Sequence, residues 1–203
     1  IWTDNKVGDP IQIVENMNDA MEADKILSLI NTNKSESNCS LNDFVILYRT
    51  NAQSRIIEDK LRRAGVPYHI IGGVKFYERK EIKDMLAYLK IISNPSDNVS
   101  LLRILNFPAR GIGKTSIDKI ISISKEKNIS LFDMLDNIDL VKIGVAQKKT
   151  IKKFKAKIER FNNKQNDYNI VNMINDVIEE FRIKEHYEKQ NTSESNERWQ
   201  NIE

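Results

Sequence analysis

Two short segments carry side chains whose types and spacing could do chemistry. The first is Leu47-Tyr48-Arg49-Thr50-Asn51-Ala52-Gln53-Ser54-Arg55, where an apolar run turns polar. It falls where an expected strand ends and an expected helix begins. In α/β sheets, ligands bind just outside the carboxyl ends of strands. A tyrosine there can stack on a flat base, and an arginine can grip phosphate oxygens in two-pronged geometry. Taken alone, the segment also fits Tyr48 finishing a core and Arg49 capping a surface.

The second segment is Arg110-Gly111-Ile112-Gly113-Lys114-Thr115. Two glycines around one apolar residue let the backbone approach a partner closely. The helix expected to follow would present free N–H groups to a phosphate, with Thr115 or Ser116 as hydroxyl donors and Arg110 and Lys114 as charge. A tight interhelical turn without a ligand would use the same residues. A Walker A phosphate loop is excluded, because it needs a second glycine five positions earlier and a preceding strand. Here Gly113-Lys114-Thr115 follows Phe107-Pro108 in helical sequence.

Other chemistry finds little support. His69 and His186 stand apart from any carboxylate or cysteine at metal-ligand spacing, so no metal site is expected. The single Cys39 cannot form an internal disulfide. From 142 to 164 the chain carries Lys148, Lys149, Lys152, Lys153, Lys155, Lys157 and Arg160, opposed within that stretch only by Glu159. This row can follow a phosphate backbone or form a solvated helix face.

The elements that must position these groups fall into two parts. Up to Gly73, strand-like and helix-like patterns alternate. Ile11 to Val14, Phe44 to Tyr48 and Tyr68 to Ile71 read as strands. Between them come a helical stretch carrying Ala20, Ala23, Ile26, Leu27 and Ile30, a loop over 31–40, and a helix over 54–64 stopped by Gly65. That order predicts an α/β fold: a partial parallel sheet with crossover helices. After Gly73 the strand pattern ends. Helices are expected over 80–93, 99–105, 115–127, 131–135, 148–163, 170–188 and from 197 onward, with a polar break over 191–196. In the helix after Thr150, Ile151, Phe154, Ile158 and Phe161 form an apolar stripe expected to pack into a core.

Five blocks, in order and spacing, closely resemble the superfamily 1 DNA helicases of the UvrD/PcrA/Rep type. They are Trp2-Thr3-Asp4-Asn5, the motif IV-like run from Phe44 to Arg55, the block from Gly72 to Asp84, the run Pro108 to Ile117, and Arg198-Trp199-Gln200-Asn201-Ile202. The resemblance implies that residues 1–73 are part of a second RecA-like motor domain. It implies that 74–203 are a helical accessory (2B-like) domain, truncated at its C-terminus. Tyr48 would then stack on the adenine of ATP, and Arg49 would reach the γ-phosphate across an inter-domain cleft. Arg110, Gly111, Ile112, Gly113, Lys114 and Thr115 would clamp the backbone of duplex DNA.

The same resemblance implies gaps. The phosphate loop, the acidic Mg2+ motif and a second ATP-site arginine would lie before residue 1 or after residue 203. ATP and Mg2+ would therefore serve the full-length 3′–5′ helicase, with neither held tightly by this chain alone. Its partners would be DNA at a single-strand/duplex junction and the missing first motor domain of the same chain. The alternatives are a stand-alone DNA-binding module and a protein-docking scaffold.

Bulk properties fit a helicase piece without pointing to one. The 203 residues are 40% hydrophobic and 30% charged, with a net charge of +3. No apolar run is long enough to span a bilayer, and no signal pattern opens the chain, so a cytoplasmic location is expected. Ile1-Trp2 at one end and Gln200-Asn201-Ile202-Glu203 at the other read as cuts from something longer.

Overall fold

A computed structural model describes residues 8–37, 39–71, 73–165 and 169–203. The expected block Trp2 to Asn5 and the first residue of the Gly72-Gly73 pair lie outside these. The chain divides into two compact units, one up to Phe76 and the other Tyr77–Glu203.

The first unit is built on two helices. Helix α1 (Asp19–Glu36) opens on Asn18, whose side chain accepts from the Met21 N–H at 2.9 Å. It runs six residues into the stretch expected as a loop. Its last turns are exposed, so polar residues there carry no information against a helix. Asn33 donates to the Leu29 carbonyl, and Lys34 suits the negative end of the helix dipole. A 3-10 turn, Leu41–Asp43, follows, with Ser40 and Asp43 capping each other. Helix α2 (Asn51–Arg63) ends at Gly65, which takes the left-handed conformation at φ 68°. Ala23, Ile30 and Leu61 are buried where the two helices pack.

The expected parallel sheet is not there: among the described residues no strand forms. The reason is visible in burial. Phe44 and Ile46 are half-buried while Val45 and Leu47 are exposed, Leu47 at 89%. Val66, Tyr68 and Ile70 alternate likewise with exposed His69 and Ile71. A strand covered on both faces needs hydrogen-bonded neighbours along its edges and a packed layer on each side. These segments have one covered side and no ladder, so hydropathy read as two-sided burial gave the wrong fold class.

A buried carboxylate organises this unit instead. Glu58, on α2, accepts from the Ser54 hydroxyl at 2.7 Å, the Phe76 N–H at 3.1 Å and the Tyr68 hydroxyl at 3.2 Å. It thereby ties the segment after α2 back to the helix.

The second unit is all helical. Its elements are α3 (Lys80–Ser93), α4 (Asn98–Ile104), α5 (Lys114–Lys127), α6 (Leu131–Met134), α7 (Val145–Lys164), α8 (Ile170–Glu180), α9 (Ile183–Glu188) and α10 (Ser193–Ile202). The helix expected over 170–188 is broken into α8 and α9 at Arg182, which sits in left-handed backbone at φ 55°. That break turns Phe181, Ile183 and Tyr187 all into the core. Helix α10 starts four residues earlier than expected, because Thr192 caps it through the Ser195 N–H.

Tyr88, Ile91 and Ile92 of α3 meet Leu101 and Ile104 of α4, Ile120 of α5, and Ile151, Phe154, Ile158 and Phe161 of α7 in one continuous core. The last four are the stripe read from sequence. Each such side chain contributes on the order of 2–3 kcal/mol through burial. A polar chain crosses one end of the core: Arg79 donates to Asn201 at 2.6 Å, and Asn201 donates to Glu81 at 2.7 Å.

Candidate nucleic-acid interface

The hairpin between α4 and α5 is held from below and open above. Ile112 is fully buried, whereas Gly111, Gly113, Lys114 and Thr115 are exposed. Gly111 adopts φ 74°, a conformation that favours glycine, and Gly113 is the N-cap of the 14-residue α5 with no side chain to satisfy the first N–H groups. A Cβ added at either glycine would meet open space. The hairpin therefore presents backbone, and the buried Ile112 anchors it.

Arg110 does not join that exposed surface. Its Nη1 donates to the carbonyls of Ile104 and Phe107 at 2.7 Å and more weakly to Leu105 at 3.3 Å. Its Nη2 donates to the Tyr88 hydroxyl at 2.5 Å. The guanidinium also lies 4.8 Å from the Phe154 ring centroid and 5.4 Å from that of Phe181. This residue gathers the orphan carbonyls at the end of α4 and builds the platform under the hairpin. Ser116 is likewise turned inward, with its hydroxyl on Gln147, which leaves Thr115 as the exposed hydroxyl.

Three residues that sequence reasoning missed shape the turn. Asn106 Oδ1 accepts from the N–H groups of Arg110 at 2.7 Å and Ile112 at 3.1 Å. Tyr88 donates to the Phe107 carbonyl while receiving Arg110. Burial pushes its phenol up to about 12, against the opposing pull of Arg110. Gln147, from the first turn of α7, donates to the Gly111 carbonyl at 2.7 Å. An asparagine four residues ahead of the hairpin's arginine was the one local signal available; the other two are tertiary.

The lysine-rich α7 is largely ion-paired by acids from outside the helix. Asp139 takes Lys152 at 2.5 Å and Lys148 at 3.9 Å, and Glu180 takes Lys157 at 3.0 Å and also Arg160. Lys155 is buried against Asp136 and Glu159. Burial works against its charge, but the two carboxylates outweigh it and hold its pKa above the ordinary value. Among the described residues, Lys149, Lys153 and Lys164 are the exposed α7 lysines outside these ion pairs.

In the first unit, Tyr48 is 37% exposed and Arg49 is exposed beside it. Gln53 Oε1 accepts from the N–H groups of both Arg49 and Thr50, at 3.0 and 3.1 Å, so it caps α2. Arg55 lies 5.6 Å from the Phe76 ring centroid. These two residues support the turn beside Tyr48 and Arg49.

The block from Gly73 to Asp84 is tied into the protein: Lys75 lies over Tyr68, Arg79 is buried on Asn201, and Asp84 pairs with Arg103 at 2.7 Å. Among the described residues, no group of three or more His, Cys, Asp and Glu side chains is arranged to hold a metal ion. His186 packs edge-on against Phe107, and burial lowers its pKa, with Lys80 adding to that and Asp84 opposing it.

The family model of the UvrD-like helicase C-terminal domain matches residues 1–203. This chain belongs to that family. It is 37% identical to the ATP-dependent DNA helicase PcrA of Bacillus subtilis over 202 residues, covering 100% of this chain and 27% of that protein. It is 38% identical over 204 residues to the PcrA of Staphylococcus aureus, covering 100% of this chain and 28% of the relative. The chain thus spans little more than a quarter of the curated relatives it matches. No helix among the described residues is long and apolar enough to cross a membrane.

Proposed function

We propose that this chain serves an ATP-dependent 3′–5′ DNA helicase, as an element that grips the duplex backbone near the single-strand junction and supplies part of an ATP site. The observation carrying the first role is the exposed backbone of Gly111 and Gly113 at the start of α5, seated on buried Ile112. Helix N-termini bind phosphate through free N–H groups and the positive end of the dipole. Lys114 and Thr115 add a cation and a hydroxyl at the same place. Contacts of this kind read phosphate and position the protein, so little sequence preference is expected.

The second role rests on the partly exposed Tyr48 and the exposed Arg49 just before α2, which fit one wall of an ATP site. Tyr48 would stack on the adenine, and Arg49 would stabilise charge on the γ-phosphoryl oxygens. A facing motor domain would complete the cleft. With no Walker A loop in the sequence, the chain alone is expected to show no ATP turnover.

Fluorescence anisotropy on duplex, single-stranded and tailed-duplex DNA across a salt series tests the duplex grip. Gly113→Glu is the informative variant. Its Cβ meets open space and a carboxylate suits a helix N-terminus, so folding is kept while phosphate is repelled. Salt-sensitive duplex binding that this variant abolishes is the expected result. Binding untouched by it would move the contact to Lys149 and Lys153 of α7. No binding even at low salt would sink the claim that this chain grips DNA unaided.

A further inference from the structure

Nothing packs against Gly111 where a side chain would stand, so steric contact does not fix this permissive residue. Hydrogen bonds on its two sides must do so. On the N–H side, Asn106 holds the flanking amides of Arg110 and Ile112 from within the same turn. On the carbonyl side, the Gly111 oxygen accepts from Gln147 Nε2, 36 residues away in sequence. The same amide uses its other end twice: Gln147 Oε1 accepts from the Gly144 N–H at 3.2 Å and from the Ser116 hydroxyl at 3.3 Å. A second strap runs parallel, from Lys119 Nζ of α5 to the Lys142 carbonyl at 3.0 Å. One side chain thus joins the hairpin, the first turn of α5 and the start of α7.

We propose that Gln147 is the positioning residue of the Gly111–Gly113 hairpin, holding the Gly111 carbonyl so that the hairpin meets duplex phosphate already in its binding conformation. The proposal rests on the duplex-grip reading above. A hairpin fixed in advance binds without the cost of ordering it, so releasing the carbonyl weakens binding although no DNA contact is removed. Gln147 contributes order, and the exposed backbone contributes contact. The number of phosphates neutralised is unchanged when Gln147 is altered.

The test compares the unaltered chain with Gln147→Leu and Gln147→Glu by two readouts. The first is amide hydrogen exchange at Arg110 and Ile112, with Ile120 and Ile151 as core controls. The second is duplex affinity across a salt series. Gln147→Leu is expected to speed exchange at Arg110 and Ile112 by about tenfold, leave the controls alone, and weaken duplex binding by about tenfold without changing the salt slope. Gln147→Glu keeps the acceptor for Gly144 but loses the donor to Gly111. It should speed hairpin exchange with the start of α7 still protected, which keeps the test decisive if the leucine variant folds poorly. Unchanged hairpin exchange in both variants overturns the proposal. So does faster exchange with unchanged duplex affinity. Loss of binding in Gly113→Glu but not in Gln147→Leu would discard the role of Gln147 and keep the duplex grip. Absence of duplex binding by the unaltered chain would remove both.

Discussion

The guanidinium of Arg110 donates to the Tyr88 hydroxyl at 2.5 Å, and that hydroxyl in turn donates to the Phe107 carbonyl. A half-buried residue expected to face DNA thereby has its guanidinium occupied within the protein, and a tyrosine on α3 becomes part of the hairpin's foundation.

Tyr88→Phe should therefore cost about 1–3 kcal/mol, since it removes the acceptor of a part-buried guanidinium N–H and one of the two donors to the Phe107 carbonyl. Urea unfolding measures it. The pH dependence follows from the same burial. The folded phenol titrates near 12 against about 10 when unfolded, so the unfolded chain releases its proton first. The stability involved is fully present below about pH 10 and is lost as pH rises toward 12, amounting to roughly 2–3 kcal/mol. Tyr88→Phe should flatten that alkaline decline, and the residual slope should fall further in Tyr187→Phe, whose phenol burial also raises.

Arg110 and Lys114 should separate cleanly by salt dependence. Lys114→Ala removes an exposed cation at the start of α5, so it should lower the log–log salt slope of duplex binding by about 0.9 while stability holds. Arg110→Lys keeps the charge but loses the fork that serves Ile104, Phe107 and Tyr88, and should destabilise by about 1.5–3 kcal/mol. Its salt slope should not move. A drop in slope for Arg110→Gln, which removes the charge, would mean that Arg110 reaches phosphate after all.

The two hairpin glycines should also respond differently to alanine. Gly111→Ala meets no neighbour but must hold φ 74°, at a cost of about 1–2 kcal/mol. Gly113 has φ −74°, so alanine there is unstrained and loses only the modest preference for glycine over alanine at an N-cap. Thermal unfolding of the two variants side by side decides it, and equal losses would contradict the left-handed assignment at Gly111.

Glu58→Ala should release the segment following α2, because it strips partners from Ser54, Tyr68 and the Phe76 N–H at once. A loss of roughly 2–4 kcal/mol is expected, together with faster amide exchange at Phe76. Tyr68→Phe removes a single bond of that set and should cost about 1 kcal/mol.

Local spacing was enough to place the apolar stripe of α7, because Ile151, Phe154, Ile158 and Phe161 repeat at helical spacing and all four are buried; it missed the break at Arg182 and the true start of α10. The glycine pair was legible as a turn from local backbone freedom, but the bond that holds the Gly111 carbonyl comes from Gln147, 36 residues on. Burial on both faces of a strand is not local. Phe44 to Tyr48 carries the hydropathy of a central strand, yet only alternate residues are covered and no ladder forms among the described residues. The fate of charge was equally a tertiary matter. Arg110 met carbonyls and a phenol brought by α3 and the end of α4, and the lysines of α7 met Asp136, Asp139 and Glu180 from other elements. Periodicity reports which face of an element is apolar; what stands opposite a charged or hydrogen-bonding group depends on residues brought in by other elements, 13 positions away for Asp139 on Lys152, 22 for Tyr88 on Arg110 and 36 for Gln147 on Gly111. Only the packed chain decides that pairing.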